Sequence, residues 1–208
     1  MEIIIGYDMD FPVTFEPYVG SQFHQQAFKI LVLGESHYFG TEDWQTFNSG
    51  NLAALAGVTQ KVVHEFLAYK RGQGAGAAWM RTFTKFSNLL KGEKLSNADL
   101  GALWETLAFY NFVQTPMGGP RQAPTAADFT QSEAAFKTVL KQLSPNLIIF
   151  WGHRLWNHFP KDAYHNNNGI HTLSYDRDYA LFVVPHPSSL TKNAQAAYQE
   201  LRLYMGRV

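Results

Sequence analysis

The residues best suited to chemistry fall in four clusters, each at the end of a short apolar run. Gly34-Glu35-Ser36-His37-Tyr38 follows Lys29–Leu33 (KILVL), and Gly152-His153-Arg154 follows Leu147–Trp151 (LIIFW). Pro185-His186-Pro187-Ser188-Ser189 follows Ala180–Val184 (ALFVV), while Asn111 stands near the end of Leu107–Phe112 (LAFYNF), which is followed by Gln114–Thr125. A carboxylate, an amide and several imidazoles offer proton transfer, polar recognition and stabilisation of developing charge. The same residues are open to a hydrolase arrangement, with Ser36 or Ser188 as nucleophile and His37 or His186 as base, but no G-x-S-x-G elbow accompanies a strand. His153 with His158, or His165 with His171, are candidate metal pairs, yet no HExxH or Cys/His pattern supports them, so no metal is expected. The glycine-rich Arg71–Gly76 (RGQGAG) lacks phosphate-loop spacing and follows no strand, so it reads as a surface connection.

The four apolar runs suit strands buried on both faces. Between them lie stretches of helical character, at Leu52–Tyr69, Gly76–Leu90, Thr130–Leu143 and Lys192–Tyr204, while Asn166–Gly169 (NNNG) reads as a turn. Alternation of strand and helix predicts right-handed crossovers and parallel strands, with ligands gathering where strands end and helices begin. The expected fold is a single-domain α/β protein spanning residues 1–208, with three layers (α/β/α) and a central, mostly parallel four-stranded sheet. Turns favour Gly, Pro, Ser and Asn for backbone reasons alone. Four such loops converging on one edge with Glu, Asn and His among them predict a pocket.

Composition narrows the function classes. With 46% hydrophobic and 15% aromatic residues in 208, the chain has enough apolar surface to fold throughout. Seventeen basic residues balance seventeen acidic ones, so any attraction to polyanions must come from a local patch. The absence of cysteine excludes disulfides, thiolate nucleophiles and cysteine-held iron–sulfur clusters, and no cofactor is expected. The opening MEIIIGYDMDFP carries too short an apolar run for a signal segment, and no run is long enough to cross a membrane; a cytoplasmic protein with no membrane partner is expected.

At the four loops the sequence resembles the uracil-DNA glycosylase superfamily, most closely its bacterial iron–sulfur branch, family four. Gly34-Glu35-Ser36 followed by Glu42-Asp43 resembles that branch's Gly-Glu-Ala-Pro-Gly with its following Glu-Asp. Asn111–Thr125 (NFVQTPMGGPRQAPT) is similar to Asn-Val-Val-Lys-Cys-Arg-Pro-Pro-Gly-Asn-Arg-x-Pro-Thr, with one residue inserted before Pro124; Asn111, Arg121, Pro124 and Thr125 carry the match. Leu147–Gly152 (LIIFWG) resembles the family's apolar strand ending in glycine, and His186-Pro187-Ser188-Ser189-Leu190 is similar to its final His-Pro-Ser motif. The chain departs from the pattern in lacking the four cluster cysteines. His37 and Tyr38 stand where that branch has Pro and Gly, and Ser36 where other branches keep Asp or Asn.

The resemblance implies hydrolysis of the N-glycosidic bond of uracil or another deaminated base in DNA, as in base-excision repair. Such a reaction passes through an oxocarbenium-like sugar and a departing base anion, and needs help at both ends. It implies His186 at the base end, donating an imidazole N–H to the pyrimidine 2-oxygen, and Glu35 at the sugar end, with His37 as a partner. Asn111 would read the uracil 4-oxygen and N3–H with its amide, a bidentate pair worth roughly 1–3 kcal/mol. Gly34, Ser36, His37 and Ser188 would line the base site, and Phe47, chosen over Tyr38, Phe39 and Trp44, would stack on the flipped base. Arg121, Arg154 and Lys192 would touch phosphates. The implied partner is single- or double-stranded DNA; the alternative is a catalytically inactive or re-purposed member that binds a base, nucleotide or nucleic acid. Structural roles remain open beside these: His186 capping a turn before Pro187, Glu35 capping a helix, Asn111 satisfying backbone groups at a strand end.

Overall fold

Central strands buried on both faces dictate the architecture. The computed structural model describes residues 13–119, 122–167, 170–189 and 192–207, without the side chains of residues 167, 170, 192 and 193. The strands are β1 (Tyr18–Val19), β2 (Ile30–Gly34), β3 (Leu107–Asn111), β4 (Leu147–Trp151), β5 (Tyr164–Asn167), β6 (Ile170–Ser174) and β7 (Asp178–Val184). The helices are α1 (Thr41–Asn48), α2 (Val58–Lys70), α3 (Met80–Lys91), α4 (Asn97–Glu105), α5 (Ala126–Leu143), α6 (His153–His158) and α7 (Lys192–Met205). Leu31, Leu33, Ala108, Tyr110, Ile148, Phe150 and Leu181 point to one face, against α5 and α6. Val32, Leu107, Phe109, Leu147, Ile149, Trp151 and Val184 point to the other, against α2, α3, α4 and α7. Period-two patterning thus buries both faces of the central strands between two helical layers.

The sheet order is β1-β3-β2-β4-β7-β6-β5. The α/β class holds, but the sheet is not the expected four-stranded parallel one. The four apolar runs form its parallel centre, β3-β2-β4-β7, while β1 and the β5–β6 hairpin add antiparallel pairings at the two edges. The reason is physical. A search for continuous apolar runs finds strands covered on both faces, whereas β1 is two residues long and β5 (YHNN) is a polar edge strand. The expected Asn166–Gly169 turn includes Asn166 and Asn167 of β5; residues 168 and 169 lie outside the described set.

Connection direction matters most for function. From β2 the chain passes through α1 to α4 and pairs β3 on one side; from β3 it returns through α5 on the opposite face and pairs β4 on the other side of β2. The loops leaving the adjacent strands β2 and β4 therefore diverge to opposite faces, the topology at which open α/β sheets place their ligands. Around Trp104, Phe66, Phe83, Phe86 and Phe109 pack ring on ring, and the buried indole N–H donates to Ser87 Oγ at 2.9 Å. Helix α5 starts earlier than the sequence pattern suggests, because Thr125 and Asp128 form a reciprocal capping box.

Helix α5 ends at Ser144 with φ 45°, a left-handed conformation that glycine adopts without a Cβ penalty. Ser144→Gly should raise stability by about 0.5–1 kcal/mol. Urea unfolding would show this as a higher midpoint with an unchanged slope.

Candidate functional site

The C-terminal ends of β3, β2, β4 and β7 place Asn111, Gly34, Trp151 and Val184 side by side in register or nearly so, all on the face covered by α2, α3, α4 and α7. The expected site residues sit on or just past this rim, in two adjoining groups.

The first group bridges the ends of β2 and β4. Glu35 follows β2 and Arg154 lies in the first turn after β4, and the guanidinium forks the carboxylate: Nε donates to Oε1 at 2.7 Å and Nη2 donates to Oε2. The Glu35 hydrogen bonds raise the Arg154 pKa above its ordinary value, and the Tyr38 hydroxyl stands beside the same guanidinium. The Arg154 side chain is 50% exposed and that of Glu35 12%, so water screens the pair from the arginine side only. An incoming anion therefore reaches the arginine from solvent. Both candidate roles, Glu35 at a sugar and Arg154 on a phosphate, begin from this mutual clasp.

His186 belongs to the same group. Its ring stacks on Trp151, centroids 5.7 Å apart and planes 21° from parallel. Desolvation lowers its pKa, opposed by the Glu35 charge and reinforced by that of Arg154. The Ser188 backbone N–H donates to Nδ1 at 3.2 Å, and Ser188 Oγ lies 2.6 Å from the same nitrogen. Nδ1 is thus an acceptor, and we assign the neutral tautomer with its proton on Nε2. Gly152, at φ 121°, lies under this ring: a Cβ there would stand 3.5 Å from His186 Cβ.

The second group is buried. Asn111 is 7% exposed and His37 5%. Asn111 Nδ2 is 3.2 Å from the His37 ring nitrogens, and His37 Nε2 is 2.9 Å from Thr59 Oγ1 at the start of α2. Nε2–H donating to Thr59 and Nδ1 accepting from Asn111 satisfies both nitrogens of the His37 ring. Burial drives the His37 pKa down to about 4, so the ring is neutral at ordinary pH. On its far side the Asn111 carbonyl oxygen leans over Gly34, where a Cβ would meet it at 2.1 Å; only glycine accommodates this contact. Phe15 closes the group, its ring edge-on to His37 with centroids 4.9 Å apart and its N–H donating to the Gln114 side-chain oxygen, while the Gln114 amide N–H donates to the Asn111 backbone carbonyl. Ser36 Oγ, between Glu35 and His37, is buried without a hydrogen-bond partner, which costs roughly 1–3 kcal/mol unless a ligand or water supplies one.

Phe47 is half-buried against Trp44, which packs on Phe39, so the exposed aromatic at the rim is Tyr38. Arg121 lies outside the described residues, as does the Lys192 side chain at the start of α7. Of the histidines considered for a metal, His158 bonds to the Arg154 carbonyl and His171 to the Tyr164 hydroxyl; among the described residues no group of three potential ligands gathers. Sequence reasoning missed Thr59, Trp151 and Phe15 because each reads as ordinary core, and the Glu35–Arg154 pairing because 119 residues separate its members. No family model matches the chain, and no curated protein matches it.

Two expectations follow. Gly34→Ala should displace the Asn111 amide and cost about 1–3 kcal/mol, read by denaturant unfolding. For His37, the folded-state pKa of about 4 lies below the unfolded 6.5, so the unfolded chain binds more protons between them. Stability should be complete above pH 6.5 and fall by up to about 3 kcal/mol as pH drops toward 4. His37→Gln should flatten that slope in unfolding titrations across the window.

Proposed function

We propose that this chain is a uracil-DNA-glycosylase-like protein that takes a flipped pyrimidine at the β2–β4 crevice and hydrolyses its N-glycosidic bond. The observation carrying this reading is His186, held neutral with its Nε2–H free, stacked on Trp151 and within the electrostatic reach of Glu35. A neutral imidazole donor suits a developing base anion, because it stabilises negative charge without first surrendering a proton. A carboxylate in the same neighbourhood suits the cationic sugar.

The remaining residues fall into supporting roles. Asn111 keeps its carbonyl and a second amide hydrogen beyond the His37 contact, the donor–acceptor pair that uracil's N3–H and 4-oxygen call for and cytosine's do not. His37 and Thr59 fix which way that amide faces. Tyr38, exposed beside Arg154, offers the stacking face that Phe47 was expected to supply. A phosphate from the substrate would draw Arg154 away and release Glu35 for the sugar.

The Arg154 fork on both Glu35 oxygens favours a second reading, a base- or nucleotide-binding protein without turnover, because a carboxylate so engaged is unavailable to water or sugar. One set of measurements separates them. Single- and double-stranded oligonucleotides containing uracil, incubated with protein and then treated with alkali, should be cut, and His186→Ala should slow the cleavage by about 10²–10³-fold. Absence of cutting by the wild type, together with calorimetric heat on adding uracil or deoxyuridine monophosphate, would select the binding protein. Absence of both would sink the two readings together.

A further inference from the structure

Arg154 is tied to Glu35, so the rim leaves open how an electrically neutral chain would hold a polyanion. A second surface answers this. Between the end of α2 and the first turns of α3 lies an open cleft of about 430 Å³, lined among others by Tyr69, Lys70, Ala77, Arg81 and Lys85. Among the described residues none of its three cations has a carboxylate within ion-pair distance. Lys70 sits over the rings of Phe66 and Tyr69, and burial lowers its pKa.

The glycine-rich segment Arg71–Gly76 forms the connection beside this cleft. Gly72 and Gly74 take positive φ, at 77° and 83°, and a Cβ on Gly76 would stand 2.7 Å from the Tyr69 ring. Gly76 thus lets the backbone lie against the Tyr69 ring, while Gly72 and Gly74 turn the exposed chain. Tyr69 and Trp79 are among the exposed large aromatics of the molecule, at 41% and 37%. Trp79 rests on Phe83, Phe83 on Trp151 and Trp151 under His186, so rigid ring packing joins this flank to the rim.

Unneutralised cations beside exposed aromatic rings are the chemistry that single-stranded nucleic acid recognises: phosphates meet the charges, and bases stack without sequence preference. We infer that the α2–α3 cleft binds a stretch of single-stranded nucleic acid through Lys70, Arg81 and Lys85, as a second contact for the polymer whose base the rim takes. An acidic protein segment is the competing occupant, disfavoured because it makes no use of the stacking faces. The inference rests on the proposed function for its biological partner, but its test does not.

The test is fluorescence anisotropy with a labelled oligothymidylate, which contains no uracil and so reports on the cleft whether or not excision occurs. The combined variant K70Q/R81Q/K85Q should bind about tenfold more weakly at low ionic strength, with the log–log salt slope smaller by about 2. Trp79→Ala should weaken binding severalfold with the slope unchanged. Circular dichroism melting should show the charge variant folded, since these are surface positions. Equal affinity and slope in wild type and charge variant would overturn the inference, as would no binding by the wild type. A polyglutamate peptide that bound as tightly as the oligonucleotide and lost as much in the variant would assign the cleft to a protein partner instead. Cleft-dependent binding without any uracil excision would remove the proposed function and leave the cleft standing.

Discussion

The arrangement depends on one topological constraint: the chain leaves β2 and β4, adjacent and parallel, toward opposite faces of the sheet. In open α/β sheets a ligand crevice lies where two neighbouring loops diverge in this way. Its two lips carry opposite charges, Glu35 and Arg154, and their forked pairing draws the rim together. The pair sits at the water boundary, its arginine end half exposed and its carboxylate end largely covered. The fork sets geometry, and its arginine end is the one another anion can reach.

The two groups at the rim differ in how much they can move. Asn111, His37 and Thr59 form a buried, hydrogen-bonded set, locked by the absence of a side chain at Gly34 and roofed by Phe15. Rearranging it would expose buried donors and acceptors, at roughly 1–3 kcal/mol for each group left unpaired. Glu35, Arg154 and Tyr38 face solvent or border it, and His186 is fixed on one side by Trp151 and Ser188. A rigid polar group beside a solvent-bordering charged one is the arrangement that the proposed reading of a base within a charged polymer calls for.

Much of this was legible in the sequence. Each central strand announces itself as an apolar run because both its faces are buried, and the polar clusters after Gly34, Asn111, Trp151 and Val184 mark the rim for the same reason. The edge strands were hidden because solvent on one side removes the continuous apolar signal, as in β5. Side-chain partners were hidden for a different reason. Glu35 and Arg154 each look like a free charge in a loop, and only the strand order, with β4 beside β2, brings them together. Phe47 was placed by its position in a motif, whereas burial against Trp44 makes it part of a satellite cluster and leaves Tyr38 exposed.

The central claim, that a base is recognised at the β2–β4 crevice, is tested most directly by nitrogen-15 NMR of side chains during titration with free uracil. The account predicts that the Asn111 amide, the Arg154 Nε–H and the His186 ring nitrogens shift together and saturably, with His186 already in its Nε2–H form before ligand is added. Resonances of all three that stay in place while uracil binds elsewhere, or a His186 found protonated on Nδ1, would contradict it.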